Sequence, residues 1–131
     1  MAAQFDGEGP IPVPTRPKRI LVVDDQPDLA SAMAALLRLQ GHEVYEAHDG
    51  ERAVEFACEV HPNLILLDIG MPHMDGLQTA REIRRLQLAE RPVIVATTGW
   101  GEASDRLASE QAGIDVHLVK PVELEVLLHF L

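Results

Sequence analysis

Three carboxylates in this sequence come directly after runs of apolar residues. Asp24 and Asp25 follow residues 20–23, and Asp68 follows residues 64–67. Taken alone, Asp68 is most simply interpreted as the cap of a turn or helix, a common role for an aspartate after a strand. If parallel strands bring all three carboxylates to one edge of a sheet, their mutual repulsion requires a cation or raised pKa values.

Thr97 and Lys120 likewise follow apolar runs, at residues 93–96 and 116–119. A lysine supplies a compact positive charge for a phosphoryl group in transfer, and a threonine hydroxyl can donate to a phosphoryl oxygen. Mg²⁺ suits the carboxylates because it takes a couple of them, keeps waters and completes its shell with phosphate oxygens. Each residue taken singly has a simpler interpretation as a cap, a strand residue or a solvated lysine. Their convergence at one edge would favour a site that handles phosphoryl groups.

The chain between these residues alternates between two patterns. Apolar and β-branched runs predict strands at residues 20–23, 64–68, 93–96 and 116–119, and an alternating pattern centred on Val44 predicts a strand at residues 43–47. A helical pattern follows each strand, beginning near residues 27, 49, 76, 102 and 122. Pro27 suits a first helical turn, and Asp49 suits an N-cap. One face of the first helix carries Leu29, Met33, Leu36 and Leu37.

Strand–helix pairs in alternation predict a parallel sheet with right-handed crossovers and helices on both faces. We therefore expect an α/β protein with a flavodoxin-like (βα)5 doubly wound fold, strand order 2-1-3-4-5, and a crevice at the carboxyl ends of the first and third strands. Residues 19–131 form this domain in the prediction. Residues 1–18 are rich in proline and glycine, which predicts a flexible tail or linker. The brief last helix suggests a domain cut from a longer protein.

Composition narrows the classes of function. The formal net charge of −10 argues against a broad electrostatic contact with nucleic acid or anionic lipid. The single cysteine, Cys58, excludes an internal disulfide and suits a reducing compartment. Neither Cys58 nor the six histidines show zinc-site spacing. Because the sequence also lacks a membrane-spanning run and a signal peptide pattern, we expect a cytoplasmic protein without direct membrane or nucleic-acid contact.

Residues 19–131 resemble the response-regulator receiver domain of two-component signalling. The resemblance rests on the Asp24-Asp25 pair after an apolar strand, Thr97, the Lys120-Pro121 pair, and Asp68 followed by Met71-Pro72-His73-Met74-Asp75-Gly76. The phrases Asp68-Ile-Gly-Met-Pro and His117-Leu-Val-Lys-Pro-Val are more similar to receivers attached to hybrid histidine kinases than to those of DNA-binding regulators.

The resemblance implies roles for these residues. Asp68 would accept a phosphoryl group from the phosphohistidine of a histidine kinase or histidine phosphotransfer protein, or from a small acyl phosphate. Asp25, Asp68 and the backbone carbonyl of Gly70 would bind Mg²⁺, with Asp24 acting through water. Lys120 would pair with Asp68 and then with the phosphoryl group.

In the same resemblance, Thr97 would swing toward the phosphoryl oxygens and shift the loop after the fourth strand. Such a chain is no enzyme in the ordinary sense, since it catalyses only its own phosphorylation and dephosphorylation. It would be a monomer or weak dimer that controls a partner or an attached output domain, and it could be a fragment of a hybrid histidine kinase.

Two departures from the family pattern affect the switch. His117 occupies the place, three residues before Lys120, where the family often has a tyrosine or phenylalanine that rotates with the threonine. It is equally well interpreted as an edge-strand residue facing solvent. Gly70 and Gly99 lack the side chains that tune hydrolysis of the aspartyl phosphate in the family. Trp100 is expected to report the switch by its fluorescence.

Two other functions are compatible with parts of this sequence. A phosphatase of the haloacid dehalogenase type also uses an aspartate nucleophile and Mg²⁺ on a parallel sheet. It needs an acidic residue two positions after the nucleophile, where this chain has Gly70 after Asp68 and Gln26 after Asp24. A phosphorylation-independent interaction domain would keep the fold without the chemistry, and the intact set of site residues argues against it.

Overall fold

The computed structural model describes residues 17–70, 75–99 and 106–131, with only the backbone of Arg106. In these ranges strands and helices alternate along the chain. The strands are β1 Arg19–Val23, β2 Glu43–Ala47, β3 Leu64–Asp68, β4 Val93–Thr98 and β5 Val116–Val119. The helices are α1 Pro27–Leu39, α2 Gly50–Val60, α3 Gly76–Arg85, α4 Arg106–Gln111 and α5 Leu124–Leu128.

The strands form one parallel sheet in the order β2-β1-β3-β4-β5. This confirms the predicted flavodoxin-like class and strand order. The register sets Val23 beside Ala47 and Leu67, and Asp68 beside Thr97. The carboxyl ends of β1, β3 and β4 therefore meet at one edge, which we call the carboxyl edge.

Helices cover both faces of the sheet. One apolar cluster joins the sheet to α2 and α3, and the other joins it to α1 and α5. The central strand β3 is buried at all five positions, as expected for a strand covered on both sides. This double burial explains why its sequence shows a continuous apolar run without alternation.

Side-chain capping explains where α2 and α3 begin. Asp49 accepts a hydrogen bond from the backbone N–H of Arg52 at 2.7 Å and caps α2, as predicted. Asp75 caps α3 in the same way, through the N–H of Gln78 at 3.0 Å. Gly41 has a φ of +94°, a left-handed conformation that suits glycine, and it follows α1.

The inward face of α1 differs from the predicted one. Ala30, Ala34 and Leu37 pack on the sheet, whereas Leu29 and Leu36 are 48% and 43% exposed. The alanines at a spacing of four let the helix approach the sheet closely, and this rotates the larger leucines to the side of the contact. The expectation that Leu29 and Leu36 share the packing face with Leu37 is wrong.

The last helix is shorter than predicted. Glu123 has extended backbone angles and is the N-cap, so α5 begins at Leu124 rather than near residue 122. After Leu128 the chain continues in tighter turns, in which His129 and Phe130 donate to carbonyls three residues back. In the described ranges, no helix has the length and apolar character needed to cross a membrane.

Parts of two predicted segments lie outside the described residues. These are residues 1–16 of the predicted tail and residues 102–105 of the predicted fourth helix. Lys18, also assigned to the tail, donates its backbone N–H to His42 Nδ1 at 3.1 Å and accepts from the N–H of Glu43 at 3.0 Å. Lys18 is thus attached to the start of β2, and the domain boundary at residue 19 stays a prediction.

Candidate functional site

The centre of the carboxyl edge is Asp68, the last residue of β3, which is 2% exposed. Its Oδ1 accepts the backbone N–H of Gly70 at 2.9 Å, and its Oδ2 accepts a hydrogen bond from the ammonium of Lys120. The first contact is the short turn that an aspartate often forms with the residue two positions later. The capping interpretation of Asp68 is therefore correct for one carboxylate oxygen, and the other faces a cation.

Lys120 brings a positive charge to this edge from the residue after β5. Its backbone N–H donates to the carbonyl of Thr98 at 2.7 Å, and its Nζ lies 3.6 Å from Asp24 Oδ2. Burial acts to lower the pKa of Lys120, but the hydrogen bond and charge of Asp68, with a smaller contribution from Asp24, outweigh it. The pKa of the ammonium is therefore raised above its ordinary value. Lys120 is a fixed cation at the site.

Asp24 and Asp25 differ in how their oxygens are used. Asp24 is 8% exposed, and its Oδ1 accepts the N–H of Gln26 at 2.9 Å. Asp25 Oδ1 is buried and has no hydrogen-bond partner among the described residues. A buried carboxylate oxygen without a partner is costly, which indicates that a ligand satisfies it.

The donor atoms of the site suit Mg²⁺, although the described residues do not form a complete cage of ligands around a metal ion. Within the described ranges, no three His, Cys, Asp or Glu side chains are arranged to hold a metal ion. Mg²⁺ is usually bound by one or two carboxylates together with waters and phosphate oxygens, so it does not require such a cage. The unpartnered oxygen of Asp25, which follows Asp24 in sequence, is a donor of the kind that such a site needs.

Thr97 lies beside Asp68 in the register of β3 and β4, and it is 3% exposed. Its carbonyl accepts the N–H of Ile69 at 3.1 Å, which holds the two strand ends together. Residues paired in a parallel register present their side chains to the same face of the sheet. The Thr97 hydroxyl is thus on the side of the sheet that carries Asp68 and Lys120.

Gly76 explains how the loop after Asp68 is held. A Cβ added to this glycine would lie 2.5 Å from Ile69 Cγ2 and 2.7 Å from Ile69 Cα. The first turn of α3 therefore presses directly on the backbone next to Gly70. Any side chain at residue 76 would displace the turn that orients Asp68.

An apolar groove of about 430 Å³ extends from the site along α1. Asp24, Thr97 and Lys120 line one part of it, and the rest of the lining is apolar and comes from β1, β3, α1 and the two residues after Lys120. The α1 residues are Leu29, Ala32, Met33 and Leu36. The sequence analysis missed this surface. The signal that could have revealed it is an apolar stripe on α1 wider than one contact with a sheet requires.

The structure thus brings Asp24, Asp68, Thr97 and Lys120 together and sets Asp25 beside them. Gly70 contacts Asp68 through its N–H, and its carbonyl as a metal ligand stays a prediction. Residues 71–74 of the quoted motif and Trp100 lie outside the described residues. His117 pairs with Ala96 in the register of β4 and β5 and is partly buried, so it is not a fully solvent-facing residue.

Comparison with known proteins decides the family. The family model described as the response regulator receiver domain matches residues 20–131. The chain belongs to the response-regulator receiver domain family. This receiver domain is 38% identical over 104 residues to "Probable transcriptional regulator ycf27" of Cyanophora paradoxa, covering 79% of the chain and 42% of that protein. It is 40% identical over 110 residues to "Transcriptional regulatory protein PrrA" of Mycobacterium leprae, covering 84% and 46%.

Solved structures agree with this assignment. The receiver domain superposes on a putative response regulator from Chloroflexus aurantiacus J-10-fl with a TM-score of 0.76 at 30% identity, covering 87% of this chain and 93% of that one. The chain spans less than half the length of the curated relatives that it matches. The family is a signalling module of two-component systems, and the activity of the longer relatives is not thereby transferred to this chain.

Proposed function

We propose that Asp68 is the phosphoacceptor of this receiver domain and takes its phosphoryl group from the phosphohistidine of a histidine kinase or histidine phosphotransfer protein. The observation that carries the proposal is the pairing of the buried Asp68 carboxylate with the Lys120 ammonium. A carboxylate can act as a nucleophile toward phosphorus, and the pairing places a positive charge beside this one. The bond between histidine nitrogen and phosphorus breaks as the bond between Asp68 and phosphorus forms, and the histidine keeps the electron pair.

Positioning and charge explain how these residues would act. The Gly70 N–H fixes one oxygen of Asp68, which orients the carboxylate for in-line attack. Lys120 lies close to Asp68 and Asp24, so its ammonium would stabilise the negative charge that develops on the phosphoryl oxygens. Thr97 would donate its hydroxyl to one of these oxygens. Its movement would shift the chain after β4 and so signal the phosphorylated state.

A magnesium ion completes the proposal. Asp25, Asp68 and the carbonyl of Gly70 would bind it, with Asp24 acting through water, and the unpartnered oxygen of Asp25 supports this assignment. When bound, Mg²⁺ neutralises charge on the equatorial phosphoryl oxygens. The three aspartates alone cannot do this, since they and Lys120 sum to a negative site.

The phosphodonor is proposed to dock on the groove along α1. This groove leads directly from Asp24, Thr97 and Lys120 to the exposed side chains of Leu29 and Leu36. A helix that carries a phosphohistidine needs an apolar surface within reach of Asp68, and the groove meets that need. The formal charge of −10 supports the expectation that the domain itself does not hold nucleic acid.

The output of the domain is proposed from its relatives. Both curated relatives above are transcriptional regulators, which supports a DNA-binding output domain in a longer protein. The phrases around Asp68 and Lys120 instead favoured attachment to a hybrid histidine kinase. The coding sequence on either side of this chain distinguishes the two. The cytoplasmic location and the monomeric or weakly dimeric state stay predictions.

Incubation with Mg²⁺ and acetyl phosphate, followed by intact mass measurement, tests the proposal. We expect a gain of one phosphoryl group in the wild type and in the control Asp49→Asn, since asparagine also caps a helix. Asp68→Asn should show no gain. A phosphorylation-independent interaction domain predicts no gain in any protein. A phosphatase of the haloacid dehalogenase type predicts steady phosphate release from a simple ester.

A further inference from the structure

A second cleft, far from Asp68, carries a concentration of positive charge that the phosphoacceptor site does not use. It lies between the C-terminal half of α3 and the end of α4 and has a volume of about 320 Å³. Six residues line it, of which three are arginines and none is acidic: Arg81, Arg84, Arg85, Gln111, Ala112 and Gly113. In a chain of net charge −10, such a cleft requires an explanation.

Arg84 lines this arginine cleft, and each of its three guanidinium nitrogens donates a hydrogen bond within the described residues. Its guanidinium donates to the carbonyls of Gly113 and Pro92 at 2.9 and 2.8 Å, and to Asp115 Oδ2 at 2.8 Å. A Cβ on Gly113 would lie 2.6 Å from Arg84 Cγ, so the arginine and the turn are in close contact. Arg84 therefore fixes the shape of the cleft, and three of its five N–H groups are already used in internal hydrogen bonds.

Arg81 and Arg85 are four residues apart and therefore lie on the same side of α3, and their donors are largely unused. The only contact of the Arg81 guanidinium within the described ranges is a long one, 3.4 Å to Gln78 Oε1. Across the same ranges, the Arg85 guanidinium has no hydrogen-bond or ion-pair partner. Arg85 in the last turn also complements the helix dipole, but this does not account for Arg81.

A neighbouring arginine adds to the positive electrostatic potential around the cleft. Burial, and next the charge of Arg91, lower the pKa of Arg84 in spite of Asp115, so one further cation acts on this region. Asp115 cannot serve the cleft because it already accepts from Arg84, Arg91 and the N–H of Ile94. The open guanidinium donors therefore face no anion from the described part of the chain.

We propose that the arginine cleft binds an acidic peptide segment of a protein partner, with carboxylates on Arg81 and Arg85. Guanidinium groups match carboxylates geometrically and bind them with two parallel hydrogen bonds. Leu107, 64% exposed, lies one helical turn before Gln111 and gives the partner an apolar contact beside the charges. A duplex nucleic acid is disfavoured, because the remaining surface is acidic and would repel an extended polyanion.

The test uses a fluorescent peptide of four glutamates around one leucine, with a glutamine version of the same peptide as a control. We expect binding that weakens as salt rises, and on the order of tenfold weaker binding to the double variant Arg81→Gln, Arg85→Gln. Arg52→Gln removes one positive charge from the exposed surface of α2, where the double variant removes two from α3, and it should stay within about twofold of the wild type. Amide shifts at Ala112 and Gly113 should locate the bound peptide.

Several results would overturn the proposal. They are no binding at low salt, equal binding to the double variant, equal binding of the glutamine peptide, inorganic phosphate alone binding as tightly as the peptide, or a DNA duplex displacing it. The variants should keep the melting temperature of the wild type, since neither arginine holds a strong internal contact. Phosphorylation at Asp68 is not involved, so this test is independent of the phosphoacceptor assignment.

Discussion

At the amino edge of the sheet, where β4 and β5 begin, charged groups satisfy one another through hydrogen bonds. Asp115 accepts from Arg84, Arg91 and the N–H of Ile94, at 2.8 to 2.9 Å. Arg84 also donates to the carbonyls of two neighbouring turns. This network joins α3 to the starts of both strands.

At the carboxyl edge, the charges are left unbalanced. Asp24 and Asp68 both contact the ammonium of Lys120, and Asp25 Oδ1 has no partner among the described residues. The amino edge uses its charges to hold secondary structure together. The carboxyl edge keeps negative charge and free oxygens ready for a ligand, at some expense of stability, as functional sites commonly do.

The largest effect is expected at the amino edge. Asp115→Ala removes three accepted hydrogen bonds and leaves the partly buried Arg84 without its carboxylate, which should lower the free energy of unfolding by about 2–4 kcal/mol. Arg91→Gln is the control, and it should cost less than about 1 kcal/mol because the Arg91 side chain is 60% exposed. Urea unfolding measures both. A loss below about 0.5 kcal/mol for Asp115→Ala would show that the network contributes little to the free energy of unfolding.

Gly76→Ala tests the packing behind the site. The new methyl group would press on the backbone of Ile69, and overpacking of this kind costs about 1–3 kcal/mol. The gain in helix propensity is smaller, about 0.5–1 kcal/mol. We expect a net loss of stability and slower phosphorylation by acetyl phosphate. Gln78→Ala in the same helix should change neither, and equal behaviour of the two variants would refute the contact.

Asp25→Asn should separate stability from function at the carboxyl edge. Removing one of three crowded carboxylates relieves repulsion, so the free energy of unfolding without metal should stay constant or rise by up to about 1 kcal/mol. Phosphorylation in the presence of Mg²⁺ should nearly disappear. A loss of more than about 1 kcal/mol would mean that Asp25 is a structural residue.

The contribution of His42, at the amino edge, to stability should be lost at low pH, and that of Lys120, at the carboxyl edge, at high pH. Burial, and next the charge of Lys18, lower the pKa of His42, so its contribution to stability is present above its unfolded pKa of 6.5 and is lost as pH falls through its folded pKa. Lys120 has a raised pKa, so its contribution is present below 10.5 and is lost as pH rises through its folded value.

His42→Leu checks the acid limb of this prediction. Its stability relative to the wild type should improve between pH 7.5 and pH 5.5, by at most about 1.4 kcal/mol per pH unit. A constant difference over that interval would show that His42 does not titrate on unfolding.

Much of the fold could be predicted from sequence because four of the strands coincide with apolar runs and β2 has an alternating pattern. Parallel strands bring their ends to one edge, so the meeting of Asp24, Asp68, Thr97 and Lys120 follows from topology alone. Whether these residues have the proposed chemical roles stays a prediction.

Side-chain packing was harder to predict from the sequence than the strands were. Leu29 and Leu36 have the periodicity of core residues, but the small Ala30 and Ala34 take the contact with the sheet. Arg84 and Asp115 are separated by 31 residues, and no local sequence pattern predicts their pairing. Such contacts depend on how closely helices approach the sheet, which periodicity does not determine.

The central claim is that Asp68 itself carries the phosphoryl group. After reaction with acetyl phosphate and Mg²⁺, borohydride reduction converts an aspartyl phosphate to homoserine, and peptide mass mapping then locates it. We predict homoserine at residue 68, and aspartate retained at residues 24 and 25. Homoserine at residue 24 or 25, or at no residue in a phosphorylated protein, would contradict the account.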